Sequence, residues 1–218
     1  THAAIVHSSE SPFSMPEVIF AGPEGRLEGR YHPSDDPAAP CALILSPHPK
    51  AGGHMDHRIP VAMYEQYKRR GFSVLRFNFR GIGRSMGTYD NGQGELQDAA
   101  YAPDWMQSFN QNAPFTWVSG YSFGAWIGMQ PLMRRPEIAG FISMSLPTNT
   151  YDFSFLAPCP ASGLITYGDE DPIVPHEDVV RVAEKIRVQK GHVITTHKIE
   201  GTDHFYTHHL EEAMDVIE

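Results

Sequence analysis

The chemistry of this chain centres on Ser122, which lies between glycines in Gly120-Tyr121-Ser122-Phe123-Gly124. A serine hydroxyl becomes a useful nucleophile only when an imidazole takes its proton, and that imidazole needs a carboxylate to hold its tautomer. Both partners lie downstream. Asp169 and Asp171 stand in Gly168-Asp169-Glu170-Asp171-Pro172, and His204 in Gly201-Thr202-Asp203-His204-Phe205-Tyr206. Serine, then acid, then histidine is the chain order in which one kind of α/β sheet presents such a triad. The chemistry expected of the set is acyl transfer, through a covalent acyl-serine that water then releases. From the residues alone, either Asp171 or Asp169 can serve as the acid.

Each of these groups needs an element to aim it. The strand-like run Phe115-Thr116-Trp117-Val118-Ser119 precedes the pentapeptide, and the helix-like run Ala125-Trp126-Ile127-Gly128-Met129 follows it. A strand, a sharp turn and a helix lift a serine into strained geometry above a sheet. The flanking glycines remove side chains that would strike the neighbouring strand and helix. The helix start points free N–H groups at a developing oxyanion. Gly163-Leu164-Ile165-Thr166-Tyr167 leads into the acid loop, and residues 193–199 lead into the histidine loop. In an open α/β sheet, sites gather beyond the carboxyl ends of the strands.

The rest of the chain supplies the sheet. Residues 17–20 and 26–31 flank Gly22-Pro23-Glu24-Gly25 and predict an opening hairpin over about 17–31. Further strands are expected at 41–45, 72–77, 115–118, 138–144, 164–167 and 193–199. Helices are expected at 59–70, closed by Gly71, at 95–110, at 177–190, closed by Gly191, and at 206–216. Alternation of this kind predicts an α/β fold, a mostly parallel twisted sheet with helices on both faces, in a single domain over residues 1–218. Residues 147–162, with Pro147, Pro158 and Pro160, are too few for a substantial helical lid. The cleft is therefore expected to be shallow and roofed only by loops.

Composition bounds the partners. The chain has 218 residues, 41% hydrophobic and 20% charged, which is globular rather than disordered. Lys and Arg number 17 against 26 Asp and Glu, a net charge of −9, and no basic run exists. Nucleic acid and anionic membrane surfaces are therefore not expected partners; a small-molecule substrate is, with a homodimer left open. No apolar stretch approaches a bilayer span and no basic-then-apolar leader opens the chain, so a cytoplasmic location is expected. Cys41 and Cys159 form no Cys-x-x-Cys pair and are expected as reduced, partly buried thiols.

A longer string of motifs carries a family resemblance: Pro47-His48-Pro49, Gly52-Gly53, Met55-Asp56 and Arg76-Phe77-Asn78-Phe79-Arg80-Gly81, together with the pentapeptide. The chain resembles the α/β-hydrolase superfamily, in particular a small cap-less branch related to dienelactone hydrolases, from about residue 17 to residue 210. The resemblance implies the hydrolase fold and its catalytic machinery. It also favours Asp171, because the family motif places the acid third after the glycine and before a segment here reading Pro172-Ile173-Val174-Pro175. Asp169 is then expected as a turn former whose side chain caps local N–H groups.

The expected roles are Ser122 as nucleophile, His204 as general base and then acid, and Asp171 as the orienting carboxylate. Backbone N–H donors for the oxyanion are expected from Phe123 and from the loop at residues 46–53, where Pro47 and Pro49 have none to give. Lys50 is the better placed of the remainder, with Ala51 in reserve. His48, Tyr121, Tyr151 and Phe153 are expected to line the substrate pocket, with Phe155 and Leu156 nearby. The alternative for these loop residues is that they anchor the segment to the core.

No metal or cofactor is expected. His54-Met55-Asp56-His57 reads as loop and helix start, and Gly81-Ile82-Gly83-Arg84-Ser85-Met86-Gly87 as a loop rather than a dinucleotide site. His208-His209 reads as an exposed helix face, and Arg80 either pairs with a carboxylate or lies on the surface. The expected reaction is hydrolysis of a small carboxylic ester or thioester. The alternatives are a short-peptide or amide hydrolase, and a non-catalytic binding protein on the same fold.

Overall fold

Strands β3 (Cys41–Leu45) and β4 (Ser73–Phe77) are buried at every position, as strands covered on both faces must be. Their side chains alternate between two cores: Leu43 and Leu45 point into one, Ala42 and Ile44 into the other. The computed structural model describes residues 17–156, 159–186 and 193–217. The remaining strands are β1 (Glu17–Gly22), β2 (Gly25–His32), β5 (Thr116–Tyr121), β6 (Ile138–Met144), β7 (Ser162–Gly168) and β8 (Ile194–Ile199). They form one sheet in the order β1-β2-β4-β3-β5-β6-β7-β8. The hairpin β1–β2 is antiparallel and β2 runs antiparallel to β4; every other neighbouring pair is parallel.

Helices α1 (Arg58–Arg69) and α5 (Leu210–Ile217) cover one face, with Ile59, Met63, Tyr64 and Ala213 packed on the sheet. Helices α2 (Gln93–Phe109), α3 (Phe123–Met129) and α4 (His176–Ile186) cover the other, through Ala99, Met106, Ile127 and Val179. This is the predicted layered architecture. The segment between β6 and β7 holds one 3-10 turn, Ser154–Leu156, among its described residues, so no lid covers the sheet edge there. Among the described residues no helix is long and apolar enough to cross a membrane.

Several boundaries differ from expectation for identifiable reasons. Helix α2 opens at Gln93 because the Glu95 carboxylate turns back to accept the Gly92 N–H at 2.8 Å and the Asp90 N–H at 3.1 Å. Helix α5 opens only at Leu210, since Tyr206 has φ 52° and the Asp203 carboxylate takes the N–H of Thr207 at 3.0 Å. His208 and His209 consequently lie in the turn before that helix. The expected continuation of α4 to Lys190, and its Gly191 stop, lie outside the described residues. Strand β5 runs past Val118 to Tyr121, straight into the turn at Ser122.

The loop after β4 is anchored by buried charge. The Arg80 guanidinium reaches Asp98 of α2 at 2.9 Å and the Gly94 carbonyl at 2.8 Å. The same aspartate accepts the Arg80 backbone N–H at 3.0 Å. The side chains are 4% and 0% exposed. Arg80 thus pairs with a carboxylate, and the glycines at 81–87 turn the chain back until Met86 N–H bonds to the Arg26 carbonyl at 2.8 Å.

Removing one partner of such a pair strands the other charge in the core. Asp98→Ala is expected to cost about 3–5 kcal/mol of stability, read from urea denaturation; a loss under about 1 kcal/mol would show that the pair holds nothing in place. Cys41 and Cys159 are buried and unbridged, and burial pushes the Cys41 thiol up to about 11. Neither is expected to react with an aromatic disulfide reagent until the chain is unfolded, and fast labelling of the native protein would contradict their placement.

Candidate active site

Ser122 joins β5 to α3 at φ 53° and ψ −114°, a backbone conformation that costs a residue with a side chain about 1–3 kcal/mol. The surroundings impose it. The Ser122 N–H bonds to the Met144 carbonyl at the end of β6, at 2.8 Å. The Ser122 carbonyl accepts the N–H groups of Ala125 at 3.0 Å and Trp126 at 3.2 Å, which starts α3. A Cβ at Gly120 would run into the Gly124 backbone, and one at Gly124 into the Leu45 carbonyl. The glycines are therefore dictated by contact between main chains, and the hydroxyl is left standing above the sheet edge.

The structure brings Ser122, His204 and Asp171 together. Ser122 Oγ lies 2.9 Å from His204 Nε2, and His204 Nδ1 lies 2.7 Å from Asp171 Oδ2. Asp171 divides its oxygens: Oδ1 accepts the N–H groups of Ile173 at 2.8 Å and Val174 at 2.9 Å, leaving Oδ2 for the imidazole. A carboxylate at Nδ1 requires the hydrogen there, so the lone pair at Nε2 faces the serine hydroxyl. Asp169 does not reach the ring. Its carboxylate accepts the Gly201 N–H at 2.8 Å, and so ties the acid loop to the histidine loop instead of capping its own turn.

The loop after β3 departs from expectation. Pro49 opens a 3-10 turn, Pro49–Ala51, that folds its N–H groups back on His48. Lys50 N–H donates to His48 Nδ1 at 3.0 Å, and Ala51 N–H to the His48 carbonyl at 3.0 Å. Lys50, the donor expected from this loop, and Ala51, its reserve, are thus both engaged within the loop. Burial lowers the His48 imidazole below its ordinary range, consistent with a neutral ring accepting at Nδ1. That ring lies 4.8 Å from the Phe123 ring, which sets the loop directly against the start of α3. His54 and His57 use their Nδ1 atoms on the N–H groups of Asp56 at 3.1 Å and Ile59 at 3.3 Å, as turn and helix caps.

Residues 30–181, more than half of the chain, match the family described as X-Pro dipeptidyl-peptidase (S15 family). The chain belongs to that family of α/β hydrolases. A protein of unknown function from Agrobacterium tumefaciens is 55% identical, with a TM-score of 0.90 over 93% of each chain. An α/β serine hydrolase without a lid, from Xanthomonas campestris, is 28% identical, with a TM-score of 0.84 over 96% of this chain and 94% of that one. An uncharacterized protein of Rickettsia prowazekii is 48% identical over 93% of this chain and 87% of its own length.

Aromatic rings gather around the start of α3. Tyr151 stacks flat on Trp126 of α3, with centroids 3.7 Å apart and planes at 2°. Tyr89 shares a hydrogen bond with His48 Nε2 at 3.1 Å. Tyr151 and Phe153 border a crevice of about 260 Å³ with Thr148, Asp152 and Lys185, although Phe153 is 2% exposed and packs mainly into the core. Leu156 is wholly buried, which is the anchoring role. Tyr121, expected at the pocket, is buried and points its hydroxyl at the His204 carbonyl. Trp126, Tyr89 and the exposed Phe205 beside His204 were not singled out from the sequence; only Trp126, one helical turn past the serine, carried a positional signal.

The aspartates are separable by experiment. Asp171→Asn is expected to lower turnover about 10⁴-fold by stabilising the wrong imidazole tautomer, as removal of a triad carboxylate's charge does elsewhere. Asp169→Asn should weaken only the tie to Gly201 and leave turnover within about tenfold, since it removes a contact outside the reacting atoms. The opposite ranking in steady-state kinetics would transfer the role to Asp169.

Proposed function

We propose that the protein hydrolyses small carboxylic esters or thioesters through an acyl-Ser122 intermediate. The observation that carries this reading is the continuous hydrogen-bonded line from Ser122 Oγ to His204 at 2.9 Å and on to Asp171 at 2.7 Å. As Ser122 Oγ attacks the carbonyl carbon, its proton passes to His204 Nε2, and the Asp171 carboxylate stabilises the imidazolium. The proton then goes to the leaving oxygen or sulfur. Water repeats the sequence against the acyl-enzyme, with His204 again the base.

The negative oxygen of each tetrahedral intermediate needs preorganised donors. The Phe123 N–H, at the open start of α3, is one. With Lys50 and Ala51 engaged, the His48 N–H becomes the second, because it has no protein partner among the described residues and its ring packs on Phe123.

The family description favours a second reading, cleavage of peptide bonds after proline. That reaction asks for a free carboxylate to hold a peptide ammonium. In the crevice beside Tyr151 the acidic groups are engaged locally: Asp152 accepts the Ser154 N–H and hydroxyl at 2.9 Å each, and Asp178 pairs with Arg181 at 3.0 Å. The ester reading is preferred for that reason.

Ser122→Ala is expected to lower ester turnover by about 10³-fold or more, since members of a triad act as a unit. Retained activity would point to a mechanism without the serine. Across p-nitrophenyl esters of rising chain length, kcat/KM should plateau at about two to six acyl carbons, because a methylene left in water contributes none of its roughly 0.8 kcal/mol. A steady climb through long chains would imply a covered tunnel. Faster hydrolysis of X-Pro dipeptide anilides than of any ester in the panel would install the peptidase reading.

A further inference from the structure

The His204 carbonyl accepts two side-chain hydrogen bonds, from the Tyr121 hydroxyl at 3.0 Å and from Ser145 Oγ at 2.8 Å. Tyr121 is the residue before the nucleophile, at the end of β5. Ser145 is the residue after Met144, at the end of β6, and the Met144 carbonyl is the group that holds the Ser122 N–H at 2.8 Å. The two adjacent strand ends that fix the backbone of the serine therefore also fix the backbone of the histidine.

The surroundings reinforce this arrangement. Ser145 and Tyr206 both sit at positive φ, 51° and 52°, a conformation that persists only where neighbours enforce it. The buried Tyr206 hydroxyl accepts the Ser145 N–H at 3.2 Å and meets Thr166 Oγ1 at 2.8 Å. From α1, the Arg58 guanidinium donates to the carbonyls of Phe205 at 2.6 Å and Tyr206 at 2.8 Å. Asp171, through its contact at Nδ1, sets the rotation and the tautomer of the imidazole. The position of the ring relative to Ser122 is set by the backbone of His204, and that backbone is tied to β5 and β6.

We infer that Tyr121 and Ser145 are positioning residues, which hold His204 at proton-transfer distance from Ser122 by anchoring its carbonyl to the strand ends that carry the nucleophile. The inference rests on the reading of Ser122 and His204 as nucleophile and base. It assigns Tyr121 no contact with substrate, so its effect falls on kcat rather than on KM.

The test compares Tyr121→Phe, Ser145→Ala and the double variant with the parent chain. The readouts are kcat and KM on p-nitrophenyl acetate, the rate of fluorophosphonate labelling, and the downfield proton resonance of the His204–Asp171 hydrogen bond. Each single variant should lose roughly threefold to tenfold in kcat, the effect of one hydrogen bond. The double variant should lose about 100-fold, as misplacement of a catalytic group does, with KM within about twofold. Labelling should slow in parallel, and the downfield resonance should broaden.

If the double variant does not fold, Tyr121→Phe decides alone, because it removes one oxygen and leaves the ring packed. A lowered melting temperature with unchanged kcat and labelling would reduce both residues to a structural role and overturn the inference. So would a fall confined to KM. A parent that neither labels nor hydrolyses any ester overturns the functional reading and this inference with it. A parent that does both, beside variants that keep pace, overturns this inference alone.

Discussion

Main chain meets main chain where β5 turns into α3, and there is no room at Gly120 or Gly124 for even a Cβ. The Leu45 carbonyl of β3 presses on one side and the first turn of the helix on the other. Ser122 is forced into its strained conformation between them, so the strain is set by the packing of three elements rather than by the serine. The same approach brings the loop after β3 against Phe123 and lets Met144 grip the serine N–H from β6. Loosening that junction would disperse every group gathered around it.

Loops at this sheet edge keep their shape without a covering layer because polar groups fasten them from below. Arg80 and Asp98 hold the loop after β4, and Glu95 closes the start of α2 with its carboxylate on two N–H groups. Asp169 fastens the acid loop to the histidine loop, and Asp203 fastens the histidine loop to itself. Asp98, Glu95 and Asp203 each meet more than one donor, which is the condition under which a buried or half-buried charge is tolerated.

The sheet and the catalytic trio were legible in the sequence because their signals are local. Two glycines around a serine, an apolar run before each polar loop and alternating strand and helix periodicities each report on a few neighbouring residues. The acid was harder, since Asp169 and Asp171 differ only in which N–H groups lie within reach; Ile173 and Val174 decide it by occupying one oxygen of Asp171. The loop at residues 46–53 misled. Residue type excluded the prolines but did not reveal that the His48 ring would take the Lys50 N–H. Tyr121 misled differently: its neighbour is the nucleophile, yet strand alternation turns its side chain toward α1 and the histidine loop. Tyr206 broke the expected final helix because its hydroxyl is wanted by Ser145 and Thr166, a demand that no local pattern records.

The flat stack of Trp126 on Tyr151 joins the helix that begins at the nucleophile to the segment between β6 and β7. Substrate range in a lidless hydrolase would ordinarily be altered by exchanging such a segment as a cassette. Here a transplanted loop that lacked the phenol would leave an indole uncovered one turn from Ser122, and a smaller residue at 126 would leave the tyrosine without its platform. Positions 126 and 151 thus pack as one unit, and a change at either takes away the other's stacking partner.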